Sequence, residues 1–427
     1  MHTLIIGAGV AGLTCARELA RAGADVTVLE ASDGVGGRVR SDHAGGYTFD
    51  RGFQVLFTAY PAVQRQLDLR ALDLRRFDPG ALICVGGRRE VLTDPLRDSD
   101  RGAALAAVLS PALPLADKFR TLLLALELRG KTVDEVLAGE DEATLVYLER
   151  RGFSRRAVEL FFRPFFAGIF LERELATSAK CFRFNYKMLS DGETVVPARG
   201  MGAISEQLAA PLVERGRVRL SSPAVALLWD GGRAAGAVLA SGEELRADAV
   251  VVATSAPEVA RLSGLPMPEA SNGVTTVYFG GDAPVFRGKK IALNPAPGAF
   301  VNNAQMLSNV APEYAPAGRH LLSASVLGVS DLSDAELARA ALRDLHAMFA
   351  GDRAALAALA QYQLLRVYRI PYGQFAQPPG IHPTLPDNRT GRPGLYLASE
   401  ITEASSLNAA MISGEKCAAA VLADLGR

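Results

Sequence analysis

The chain is poor in the residues that build metal and disulfide sites: among 427 residues there are 4 cysteines and 5 histidines. Cys15, Cys84, Cys181 and Cys417 stand far apart with no C-x-x-C pair, so they are expected to be small buried hydrophobes. No H-E-x-x-H occurs, and no metal site is expected. There is no excess of either charge, 46 basic against 46 acidic residues, and no basic stripe with interleaved aromatics. Both absences argue against a polyanion partner and against nucleic acid. No apolar run reaches the roughly 18–20 residues that span a bilayer. Met1-His2 lead straight into the first predicted strand, which leaves no room for a signal peptide, and a cytoplasmic location is expected. With 49% hydrophobic and 22% charged residues the composition is that of a folded enzyme. The length exceeds one simple core, so two domains are expected.

Glycine is abundant, at 41 residues, and its arrangement near the start carries the first functional signal. Leu4-Ile5-Ile6 has strand character and ends at Gly7; Gly7, Gly9 and Gly12 fill the three positions of G-x-G-x-x-G. Gly7 permits a tight turn, Gly9 lets backbone approach a pyrophosphate, and Gly12 lets the next helix pack on the strand. That helix is predicted over 11–22 and stops at Gly23. Its free N–H groups face the phosphates. A second strand, 25–29, delivers Glu30, whose carboxylate can accept from both ribose hydroxyls of an adenosine. This ordered set points to a dinucleotide. After Ala31-Ser32-Asp33-Gly34 comes Val35-Gly36-Gly37-Arg38, a second glycine loop with a guanidinium for the pyrophosphate.

Glu30, a four-residue spacer and Val-Gly-Gly-Arg resemble the signature of the flavoprotein group that contains amine oxidases, protoporphyrinogen oxidases and phytoene desaturases. The resemblance implies non-covalently bound FAD and an α/β fold. A Rossmann-like, glutathione-reductase-type FAD-binding domain would comprise residues 1–78, 195–268 and 385–427. A second α+β substrate domain, residues 79–194 and 269–384, would be inserted into it. Cofactor contacts are expected from Gly7, Gly9, Ala11, Gly12, Glu30, Ala31, Gly36, Gly37 and Arg38, and from Gly52, Phe53 and Gln54, which would pass near the flavin ring. Backbone at Val225 would meet the adenine edge, and Thr254 follows an apolar strand at its carboxyl end. The family ends with a strand, an acidic residue and a helix whose N-terminus faces the flavin pyrimidine. Here these are 394–398, Glu400 and a helix over 407–425 led by Leu407, Asn408 and Ala409. A helix N-terminus stabilises the negative charge of reduced flavin. No cysteine precedes that helix, hence no covalent link, and without C-x-x-C the dithiol flavoprotein reductases are excluded.

The middle of the chain bears on substrate. Residues 81–92 read as a hairpin about Gly86-Gly87, and 117–128 as a helix with Phe119, Leu122, Leu123 and Leu126 on one face. FFRPFFAGIF at 161–170 is read as domain core first, then as a substrate tunnel, then as a membrane contact. Residues 194–208 start a helix that returns the chain to the cofactor domain, and 218–225, 235–239 and 245–253 read as a strand meander. Strands at 274–279, 291–293, 300–306, 321–326 and 362–370, with a helix opened by the capping box Ser333-Asp334-Ala335-Glu336, make a second sheet. The expected activity is transfer of a hydride equivalent from a substrate carbon to flavin N5, with oxygen or a quinone reoxidising the flavin. Substrate-facing candidates are Gln54, Phe165 and Tyr372; no catalytic base identifies itself. Amine oxidases of this group carry a tyrosine where Ser406 stands and a lysine on a strand matching 274–279, which has none. A desaturase-like reaction on an apolar small molecule, with peripheral membrane contact open to it, is therefore favoured over an amine oxidase. A non-catalytic FAD-binding redox module is the alternative of another class.

Overall fold

The computed structural model describes residues 2–94, 97–98, 102 and 110–426. Strand His2–Ile6 lies at the centre of a five-stranded parallel sheet, between Asp25–Leu29 and Ala249–Val252, with Val218–Arg219 and Leu395–Leu397 at the edges. These strands are apolar on both faces because both faces are covered. Ile5, Val28 and Val251 pack against helices Val10–Arg21, Gly202–Val213 and Leu407–Asp424. Leu4, Ile6, Val250 and Val252 pack against a three-stranded meander, Ala224–Asp230, Arg233–Leu239 and Glu244–Arg246. A methyl on Gly414 of the terminal helix would lie 2.6 Å from the Ala11 carbonyl oxygen, so the glycine sets how closely the first and last helices cross.

Residues 218–225 do not form the single strand expected from their pattern. Ser221 takes a left-handed φ of +50°, and the backbone N–H groups of Ser221 and Ser222 donate to the carbonyls of Ser32 and Glu30. The chain is thus pinned to the end of the second strand: Val218–Arg219 joins the parallel sheet, and the meander begins only at Ala224.

A second sheet of seven strands runs in the order Gln363–Phe375, Ser271–Gly281, His320–Leu327, Asn303–Met306, Ile291–Leu293, Ala81–Val85, Arg88–Leu92. Its expected strand at 300–306 starts late, at Asn303, because the N–H groups of Phe300 and Val301 are diverted to Asp344 Oδ2 at 2.7 and 2.9 Å. One face packs on helix Asp334–Met348, opened by the Ser333–Glu336 capping box, through Leu337-flanking residues such as Ala341, Leu345 and Met348. The other face meets the first unit. There the Asp50 carboxylate accepts Ser41 Oγ–H at 2.6 Å, Met201 N–H at 2.8 Å and Tyr314 O–H at 2.8 Å, while Tyr278 O–H donates to the Asp50 carbonyl at 2.8 Å.

Helices Leu115–Arg129, Val133–Leu137, Thr144–Arg150 and Ala179–Asp191 surround the phenylalanine segment. Phe162, Phe166 and Phe182 form the centre of this layer, with Leu124, Leu128 and Tyr147. The predicted stripe of the Leu115–Arg129 helix forms but turns outward. Phe119, Leu122, Leu123 and Leu126 are 60%, 43%, 45% and 52% exposed. The opposite side is held inward by Leu124, Leu128 and buried Asp117, whose carboxylate accepts the N–H and O–H of Ser154 at 3.0 and 2.5 Å.

Candidate cofactor and substrate site

A cavity of about 1150 Å³ begins at the glycine turn, passes the start of the terminal helix and ends among the phenylalanines. At the turn Gly7 has φ +111°, and a methyl on Gly12 would lie 2.1 Å from the Gly7 carbonyl oxygen. A methyl on Gly9 would meet nothing within 4 Å. Gly7 and Gly12 are therefore required by the protein's own packing, whereas Gly9 borders open space of the kind a pyrophosphate fills. Glu30 ends the second strand with Oε2 accepting Ala8 N–H at 2.8 Å and Oε1 accepting Ser32 N–H and O–H at 2.9 and 2.7 Å. Its orientation is fixed, and with Oε1 accepting twice and Oε2 once, Oε2 keeps a lone pair for a ribose hydroxyl. The second glycine loop is tied to the first by Gly36 N–H to Ala8 O at 2.8 Å.

Arg38 leaves that loop and is held on three sides. Nη2 pairs with Glu400 Oε2, Nη1 donates to Gly373 O at 2.8 Å, and the guanidinium lies 5.5 Å from the Tyr372 ring centre. Burial pushes the Tyr372 hydroxyl up to about 12, which keeps it protonated as a donor. Glu400 Oε1, Thr254 Oγ1 and Tyr372 Oη are buried without a hydrogen-bond partner, and all three residues line the cavity. Buried polar atoms in native proteins are nearly always satisfied, so this trio fits a polar ligand backbone laid along the wall. Gln54 donates to the carbonyls of Arg38 and Arg51 at 2.7 and 3.1 Å, fixing the loop that carries Gly52 and Phe53 along the same wall.

The wall includes Gly7, Gly9, Ala11, Glu30, Gly36, Gly37, Arg38, Gly52, Phe53, Gln54, Phe165, Thr254, Tyr372, Glu400 and Leu407. Gly12, Ala31, Val225, Asn408 and Ala409 lie off it. Gly12 is under the turn, and Ala31 is exposed. Val225 sits at a bulge, 44% exposed, with its carbonyl taken by Arg261 Nη1 at 2.9 Å. Asn408 Oδ1 turns away to accept Ala62 N–H, and Ala409 N–H is capped by Ser406 Oγ, both at 3.0 Å. Ser399, Ser405 and Ser406 line the cavity although sequence reasoning did not select them. The N-cap role of Ser406 was readable from its place before an apolar helical pattern.

Beyond the terminal helix the cavity becomes an apolar chamber. A π-turn at Val158–Phe162 precedes helix Arg163–Phe170; Phe161, Phe165 and Phe166 from these turns line the chamber, with Ile169, Val274 and Ile370. Leu171 ends the helix in a left-handed conformation, φ +57°, and reaches the wall beside Gly373. The phenylalanine segment thus divides between core and cavity wall: Phe162 and Phe170 belong to the core, while Phe161, Phe165 and Phe166 reach the cavity.

The family described as flavin containing amine oxidoreductase matches the chain over residues 10–422. The chain belongs to that family. As a member of the flavin-containing amine oxidoreductases it is an FAD-dependent oxidoreductase, and the cavity wall fits that cofactor. The chain is similar to the zeta-carotene-forming phytoene desaturase of Myxococcus xanthus, 28% identical over 282 residues, which is 60% of this chain and 53% of that protein. Against that relative the chain therefore spans about half the length. It is also similar to the 15-cis-phytoene desaturase of Solanum lycopersicum, 24% identical over 99% of this chain and 78% of that one. Among solved structures, a protein of Exiguobacterium provisionally described as a protoporphyrinogen oxidase superposes with a TM-score of 0.75 at 20% identity, covering 99% of both chains. That likeness shows the shared fold. No described helix is long and apolar enough to cross a membrane.

Proposed function

We propose that this flavoenzyme removes a hydride equivalent from a carbon of an apolar small molecule, in a desaturase-like reaction, with oxygen or a quinone as final acceptor. The observation that carries this reading is the chamber itself. Its inner wall is Phe161, Phe165, Phe166, Ile169, Val274 and Ile370, with Asn185 and Asn303 as polar interruptions. Among the described residues Lys118 is the one lysine of the whole lining, and it belongs to the helix at the outer end. The carboxylates of the lining are engaged: Glu30 by Ala8 and Ser32, Asp78 by Lys289 N–H, Asp94 by Arg129, Glu193 by Arg76, Glu400 by Arg38. An amine substrate would enter as a cation and need a free anion or an aromatic cage at the reacting end. An apolar substrate needs only shape and exclusion of water.

FAD, when bound, supplies the acceptor for the hydride equivalent. The chain's own part is positional. Glu30 and the two glycine loops would hold the adenosine and pyrophosphate, Arg38 and Glu400 the stretch between, and the helix start at Leu407 the far ring. Phe165 and Ile370 would press the substrate carbon into place and keep the site dry. The test is an anaerobic titration of the purified yellow protein. Bleaching of the flavin band by a polyene, with no response to amines, is expected. Bleaching by a primary or secondary amine alone would establish the amine-oxidase reading, and bleaching by chemical reductants alone would establish a non-catalytic redox module.

A further inference from the structure

Two carboxamides interrupt the apolar chamber, Asn185 on its helical wall and Asn303 on its sheet floor. Asn303 is buried, and its surroundings fix which atom it offers. Its Nδ2 donates to Gln305 Oε1 at 3.1 Å and to Ser325 Oγ at 3.4 Å, which uses both of its N–H groups. Its Oδ1 accepts one bond, from Asn302 Nδ2 at 2.9 Å, and Asn302 is itself pinned to the Pro164 carbonyl at 2.9 Å. One lone pair of Asn303 Oδ1 is left over. Beside it lies Gly168, which also borders the cavity. Gly168 sits inside helix Arg163–Phe170 without a positive φ, so its backbone needs no glycine, and glycine is a poor helix former. A methyl there would lie 3.1 Å from Asn303 Oδ1 and 3.5 Å from Asn302 Nδ2. The missing side chain keeps that oxygen uncovered.

Asn185 has the same polarity. Its Nδ2 donates to the Cys181 carbonyl at 2.9 Å, and among the described residues no group donates to its Oδ1. Behind Asn303 the sheet stays polar. Thr276, Ser325 and Asn303 share one rung, and Ser323 and Gln305 share the next rung on the same face. Thr276 Oγ1, Ser323 Oγ and Gln305 Nε2 are buried without a hydrogen-bond partner. A floor selected for stability alone would be closed or apolar, because each open buried group forfeits its hydration. We propose that the floor is a specificity element: the substrate carries an uncharged hydrogen-bond donor, an O–H or N–H, on an apolar frame, and Asn303 Oδ1 accepts it through the gap at Gly168. The inference rests on the apolar-substrate reading and narrows it. An ammonium group would also donate, but the carboxylates of the lining are engaged and leave its buried charge uncompensated. An ether or ketone, which only accepts, would meet Asn303 oxygen against oxygen.

The experiment is equilibrium dialysis of the full-length FAD-loaded protein against three probes that share one apolar frame: naphthalene, naphthol and methoxynaphthalene. Naphthol is expected to bind with a Kd about tenfold below the other two, the worth of one hydrogen bond between neutral groups. Gly168→Ala covers the oxygen while removing none of its hydrogen bonds, and Asn303→Leu removes the oxygen itself. Either change should bring the three Kd values within about threefold of one another. Asn303→Leu also strands the Asn302 donor, so flavin content and thermal midpoint are recorded beside the binding. Gly168→Ala adds a better helix former and carries the test if Asn303→Leu fails to fold. A purely structural role for either residue would move the midpoint and leave the naphthol preference intact. Equal binding of the three probes by the parent, a preference for methoxynaphthalene, or a naphthol preference that survives Gly168→Ala overturns the inference. Dialysis needs no turnover. Failure of all three probes to bind removes the apolar-substrate reading together with this one, whereas equal binding leaves that reading standing and removes the donor alone.

Discussion

The three glycines of the first turn do different work, and substitutions separate them. Gly9 has φ −74° and open space around its missing Cβ. Gly9→Leu is therefore expected to fold with the thermal midpoint of the flavin-free parent yet to purify colourless. Gly12→Val drives a methyl into the Gly7 carbonyl and should destabilise the fold itself by about 1–3 kcal/mol, seen in urea unfolding of the flavin-free protein. If both variants lose colour and stability together, the glycines share one structural role. His382 offers a second residue-level test. Burial lowers its pKa from the ordinary 6.5, Lys180 acts in the same direction, and Asp141 opposes them. Its Nε2 lies 3.7 Å from the Cys181 sulfur. The unfolded chain takes up a proton that the folded one refuses, so stability is full above 6.5 and declines as pH falls below it. His382→Asn should flatten the midpoint-versus-pH curve below 6.5, measured by differential scanning fluorimetry.

At the scale of elements, the parts legible in the sequence are those whose chemistry is local. The strand, turn and helix at 2–21 follow from consecutive residues, and so does the capping box at Ser333. The Arg38–Glu400 pair was not legible as a pair: both residues were assigned to the cofactor, but 362 positions separate them and only the fold sets Arg38 Nη2 against Glu400. The stripe on Leu115–Arg129 shows a different limit. Periodicity identifies an amphipathic face, but the helix has a second inward side built on Leu124, Leu128 and a buried aspartate, and nothing in its own sequence says which side meets a neighbour. Residues 218–225 were misread because the Ser221 turn is stabilised by the carbonyls of Glu30 and Ser32, just past the second strand and nearly two hundred residues earlier in the chain. The terminal helix gives the prediction at this scale. Gly414→Leu would place a side chain 2.6 Å from the Ala11 carbonyl and push the last helix off the first. Flavin affinity is expected to fall along with stability, because Leu407 at the helix start lines the cavity. Unchanged flavin retention after dialysis would separate the helix from the cofactor.

At the scale of the whole molecule, the cofactor-side sheet and the seven-stranded sheet meet at Asp50. Removing its carboxylate leaves the donors of Ser41, Met201 and Tyr314 without an acceptor. Asp50→Ala is expected to cost at least about 3 kcal/mol, counting roughly 1 kcal/mol or more for each stranded buried donor, and to split one cooperative urea transition into two. A single transition with a loss under about 1 kcal/mol would show that the two sheets are held together elsewhere. The same node has a kinetic implication. Levering the sheets apart to exchange substrate would bring a carboxylate, two tyrosine hydroxyls and a helix-start amide out of their mutual bonds at every turnover. Phe119 and Leu122 line the cavity from a helix that takes no part in this junction, so the junction can stay shut while substrate is exchanged. The two sheets are therefore expected to travel as one rigid body through the catalytic cycle, with whatever motion admits substrate confined to the helical layer.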